Sequence, residues 1–141
     1  MKKLLNRAFL YAMLGLAAGV FYREFTKFRG FTGRTALAFL HPHLLALGAL
    51  LCLIVMLLAR EFPLEGSRHF RRFLLLHDIG LPFMVLMMGV RGVLQVLGTA
   101  LSRGLDGALS GVAGLGHIIL GLSLVFLFLG LKQAVLPVKE V

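Results

Sequence analysis

The stretch TALAFLHPHLLALGALLCLIVMLLA, running from Thr35 to Ala59, decides the fold. It contains no Asp, Glu, Lys or Arg, and it exceeds the roughly 20 apolar residues that a helix needs to cross a hydrocarbon layer. Lipid offers no partner to a bare peptide group, so such a segment has to satisfy its own backbone as a helix. Three further long apolar stretches, Leu4 to Tyr22, Phe73 to Leu97 and Leu109 to Leu131, repeat the pattern. The connections are short, which predicts a single all-α domain over residues 1–141, an integral membrane four-helix bundle. Composition agrees: 59% of residues are hydrophobic and mean hydropathy is +0.93, above what a soluble domain of this size can bury.

The net charge of +9 could point to nucleic acid, but the basic residues cluster at the ends of the apolar stretches, where they meet headgroups and water. Lys2, Lys3, Arg7, Arg60, Arg68, Arg71, Arg72, Lys132 and Lys139 fall on one side of a four-span chain. Arg23, Lys27, Arg29, Arg34 and Arg103 fall on the other. That bias predicts both termini in the cytoplasm of a multi-pass protein of the cell inner membrane, with no nucleic-acid partner. The basic start and small residues of the first span resemble a signal peptide, yet the span is expected to stay as helix 1. The lone Cys52, among Leu51, Leu53 and Ile54, allows no intrachain disulfide and reads as a small hydrophobe.

Gly15 and Gly19 lie in a G-x-x-x-G spacing, which lets another helix approach closely, most simply within the chain. Tyr22 to Gly33 is expected to be an amphipathic loop capping the far end, with its aromatics at the interface. Glu61 to Ser67 reads as a turn around Pro63 and Gly66, Arg68 to Arg72 as the entry to helix 3, and Ser102 to Gly107 as a short glycine-rich connection.

Ionisable residues within membrane spans are costly and mark function by default. Here they are His41, His43, His77, Asp78, Arg91 and His117. Helices 2 and 4 start from the same face; His41 and His43 lie six and eight residues into one, and His117 eight into the other. At about 1.5 Å per residue all three sit roughly 9 to 12 Å from that face. Arg91, six residues before Leu97, is expected in the same layer. Imidazoles bind heme iron axially and Arg pairs with propionates, so the predicted cofactor is heme b, held by His41, His43 and His117 as metal ligands with Arg91. Gly114 and Gly121 flank His117 at i−3 and i+4, and Gly48 follows His41 by seven, leaving room for a flat macrocycle.

His41 and His43 leave an α-helix about 200° apart, so they serve two sites, or one ligates while the other hydrogen-bonds. His77 and Asp78, near the opposite face beside Arg71 and Arg72, are expected to form an interfacial salt bridge. His69 reads as a solvated loop residue, and Met84, Met87 and Met88 as packing. No C-x-x-C-H motif is present, so no covalent heme attachment is expected.

Leu40 to Ala49, with its His-x-His and Gly48, followed by Arg60-Glu61-Phe62-Pro63-Leu64, resembles the tenth helix of subunit I of heme–copper oxidases. That resemblance implies His41 and His43 as axial ligands to two hemes on opposite faces, and a chain the length of one of that subunit's three four-helix arcs. The adjacent His-His pair of the family's copper centre is missing. The whole chain, with Phe21 to Phe28, His-x-His, Val90-Arg91-Gly92 and Gly114-Leu115-Gly116-His117 in order, also resembles an uncharacterised bacterial family of small four-helix membrane proteins.

The expected function is electron transfer by a membrane cytochrome, with a quinone or redox protein as partner and an oxidase-like role if the iron is five-coordinate. The chain is expected to self-associate, as a trimer by analogy with the three arcs. The competing reading is a non-enzymatic scaffold or small-molecule channel without heme.

Overall fold

A computed structural model describes residues 1–135; Lys139, counted above among the basic flanks, lies outside them. Four helices make up the fold: α1 (Lys2–Phe28), α2 (Ala36–Glu61), α3 (Arg68–Val96) and α4 (Arg103–Val135), with no strand among the described residues. Each is long and apolar enough to cross a membrane, as the sequence predicts. The helices run alternately up and down, so one end of the bundle carries the start of α1 and the end of α4. The opposite, far end carries the end of α1 and the start of α4.

Two connections differ from expectation. The segment Tyr22–Gly33 is mostly helix, because α1 runs on to Phe28 and stops only at Gly30, whose φ of +59° opens the left-handed region. The Phe31 N–H then returns to the Thr26 carbonyl at 2.9 Å and closes the helix end. Phe21 and Phe25, four residues apart, stack at 5.2 Å between centroids, and this pairing favours helix past the apolar limit. Likewise α4 begins at Arg103, inside the stretch read as a loop. The Ser102 hydroxyl accepts from the Leu105 N–H at 3.3 Å and Asp106 sits in the first turn, so a good cap outweighs the glycines.

Helix α2 is not uniform. Ala36–Phe39 is 3-10, Leu40–His43 is α, Leu44–Leu50 is π and Leu51–Glu61 returns to α. Pro42 is the seventh residue of α2 and lies in the short α turn between the 3-10 and π segments. The π segment presents the Leu47 carbonyl sideways to His77, whose Nε2–H donates to it at 2.8 Å. On the other flank Tyr11 covers Gly48, where an added Cβ would lie 2.5 Å from the Tyr11 ring.

Glycines set the helix spacing. The Gly15/Gly19 pair takes Leu45 and His41 of α2, an intrachain contact as the spacing suggested. Gly92 of α3 admits the start of α2 so closely that an added Cβ would stand 2.5 Å from the Leu37 nitrogen. Thr35 caps that start, accepting from the Leu37 N–H at 3.3 Å and donating to the Gly92 carbonyl at 2.9 Å, while the Ala36 N–H donates to Gln95 Oε1 at 2.7 Å. Along α3 and α4, Gly80 lies on Leu120, Gly116 on Met84 and Gly130 near Phe70. Met84 and Met88 are core side chains, and Cys52 is buried with them.

Gly92→Ala is therefore expected to destabilise by about 1–3 kcal/mol, since the new methyl meets backbone rather than a yielding side chain. Gly89→Ala, with nothing within 4 Å, is expected to be neutral or to stabilise by up to about 1 kcal/mol through helix propensity. Thermal unfolding of both variants in one detergent, followed by far-ultraviolet circular dichroism, checks the opposite signs.

Candidate functional site

His43 and His117 meet across the gap between α2 and α4. Their ring centres stand 6.4 Å apart with planes crossed at 84°. His43 is half-buried and His117 exposed on the bundle flank. Each ring is oriented by its own helix: Nδ1 of His43 lies 2.7 Å from the Phe39 carbonyl, and Nδ1 of His117 lies 3.1 Å from the Ala113 carbonyl, both four residues back. A carbonyl can only accept, so in the neutral form of each ring Nδ1 carries the proton and Nε2 is the nitrogen left to accept. A ring held this way is set up as a metal ligand.

The surroundings of the pair are open beside His117 and closed at Gly48. Gly114 and Gly121, on the face of His117, have nothing within 4 Å of an added Cβ, so the flank there is open. Gly48 is closed by Tyr11 and offers no such room, contrary to expectation. Among the described residues no group of three or more His, Cys, Asp and Glu side chains is set to hold an ion. A bare metal wants about four protein or water ligands, whereas a porphyrin brings four nitrogens and needs only axial ones.

The other two expected site residues stand apart from the pair. His41 leaves α2 in the opposite direction, as the 200° step requires, and its ring lies 3.7 Å from where a Cβ on Gly19 would stand. Its Nδ1 is buried without a hydrogen-bond partner. Arg91 is not level with the histidines. It pairs with Asp106 at 3.3 Å and donates to the Ser110 hydroxyl on α4, and Ser110 lies about 10 Å outward of His117 by helix rise. Two of its five N–H groups are so used.

At the other depth the sequence points to His77 and Asp78, but not to the partner that Asp78 takes. Asp78 pairs with Arg7 of α1, not with Arg71 or Arg72, and His77 is 1% exposed, between Tyr11 at 5.9 Å and Phe73 at 5.6 Å. The expected interfacial bridge of His77 and Asp78 with those arginines is thus replaced by a lock between α1, α2 and α3. The signal was Arg7 itself, a base five residues inside the first helix. His69 is also not a solvated loop residue: it stands in the first turn of α3, stacked on Phe126 at 6.0 Å.

No curated protein and no solved structure matches the chain. Residues 1–134 match a family described as a protein of unknown function, DUF2871, in keeping with the likeness to a family of small four-helix proteins. The match spans the four helices, the histidine pair and the glycines that bring it together, and the chain belongs to the DUF2871 family.

Proposed function

We propose that this chain is a membrane cytochrome that holds one b-type heme between His43 and His117 and passes electrons to or from a quinone or a redox partner. The observation that carries this reading is the 6.4 Å between the two ring centres, each with Nε2 left to accept. Two metal–imidazole bonds of about 2 Å, plus the short step from each nitrogen to its ring centre, would come to roughly 6 Å, so this spacing would let both rings hold one heme. A heme held by His43 and His117 would supply one-electron redox chemistry. The protein's part is to fix the rings through the Phe39 and Ala113 carbonyls, leave a flat opening at Gly114 and Gly121, and offer Arg91 to the propionates from the far end. His41, turned to α1, packs and does not share the iron in this reading. This reading departs from the oxidase resemblance, which implies His41 and His43 as ligands to two separate hemes, and it rests on the His43–His117 pair instead.

The same reading has both termini in the cytoplasm and the bundle in the cell inner membrane, from the excess of basic residues at the terminus-bearing end. It also has the chain self-associating, as a trimer. An imidazole facing hydrocarbon is costly, and a four-helix arc covers one side of a macrocycle at most. Gly104, Gly107 and Gly111 leave the outer flank of α4 open, which would let a neighbouring copy approach closely.

Protein made with ample heme is expected to show a Soret band after purification. His43→Ala and His117→Ala should each retain heme at least tenfold more weakly, while His41→Ala retains it. Absence of the band in the unaltered chain, or loss in the His41 variant alone, contradicts the assignment; unchanged folding of heme-free His43 and His117 variants alongside a heme-free parent favours the scaffold or channel reading. For the assembly, native mass spectrometry in mild detergent is expected to give three copies, and monomer alone overturns it.

A further inference from the structure

A separate feature lies at the terminus-bearing end. Arg68, Arg71 and Arg72 open α3 and, with Leu75, line a groove of about 300 Å³. Residues three and four apart share a helix face, so the guanidiniums gather on one flank and Leu75 continues that flank toward the apolar span. All four side chains are exposed. Among the described residues no carboxylate neutralises them: Glu65 pairs with the N-terminal ammonium at 3.5 Å, Asp78 pairs with Arg7, and none of the three arginines has an ion-pair partner. Arg72 is steadied over the Phe126 ring of α4, 5.4 Å from its centre.

Three gathered guanidiniums repel one another until an anion sits among them, and their planar forks suit phosphate oxygens. The groove lies where α3 leaves the polar turn and enters its apolar span, the depth of a headgroup. Leu75, 61% exposed beside the arginines, gives a hydrocarbon chain a place to lie that a free anion has no use for. We propose that this groove binds an anionic phospholipid, with the phosphate held by Arg68, Arg71 and Arg72 and an acyl chain along Leu75. The site is independent of the heme reading.

The test is native mass spectrometry of the full chain in neutral detergent, titrated with phosphatidylglycerol and, for reference, phosphatidylcholine. The triple variant Arg68→Gln, Arg71→Gln, Arg72→Gln is expected to bind phosphatidylglycerol about a hundredfold more weakly, each basic residue near the surface being worth about fivefold. Removing as much charge at the far end, with Arg23→Gln, Lys27→Gln and Arg29→Gln, should change affinity by less than about twofold. Equal loss in both variants would mean diffuse attraction only and overturns the site. So does an unaltered chain with no preference over phosphatidylcholine, or lipid displaced by inorganic phosphate. Leu75→Gln keeps every charge and serves if the triple variant misfolds: several-fold weaker binding supports the site, and full affinity overturns it.

Discussion

Inside a hydrocarbon layer the helices gain nothing from hiding apolar surface, so what joins them is contact between backbones, and contact needs small residues. Here glycine supplies it at each interface. Gly15 and Gly48 fit α1 to α2, Gly92 fits α2 to α3, and Gly80 with Gly116 fits α3 to α4. Because these contacts are made at fixed heights, they set the axial register of every helix. His43 and His117 come level through that register: α2 is pinned to α3 at Leu37 and Gly92, and α3 to α4 at Met84 and Gly116. A glycine enlarged at either joint would slide one histidine past the other without touching it.

The polar residues divide the work by depth. Toward the far end, Thr35, Gln95, Arg91, Asp106 and Ser110 fasten helix starts and ends with hydrogen bonds. Deeper toward the terminus-bearing end, Arg7 and Asp78 pair, and His77 holds the Leu47 carbonyl that the π segment exposes. Stretches of π-helix are found most often where a helix is bent to a task. This one follows directly on His41-Pro42-His43, so its anchor at His77 holds the helix that carries His43. Between these two polar layers the His43 and His117 rings are the polar groups turned to the flank instead of the core.

The four spans were legible because lipid demands long apolar runs, and the level of His43 and His117 was legible because alternating helices share a common zero of depth. What hydropathy could not give was azimuth. Nothing local says that His41 turns to Gly19 or that Arg91 turns outward to Asp106; both follow from which helix happens to be adjacent. The ends of α1 and the start of α4 were missed because capping and aromatic pairing extend helices beyond the membrane-sized segment, at Gly30 and Ser102. Gly48 was read as room for a ligand when it is room for Tyr11, a distinction that only the packed neighbour can make.

The central claim is that His43 of α2 and His117 of α4 would together hold one heme. Carbon monoxide added to the reduced protein addresses it most directly, because the gas binds only where a position is open. The account predicts a Soret band that does not shift. A clear shift to a carbonyl-type spectrum would mean a five-coordinate iron and would contradict the pairing of His43 with His117.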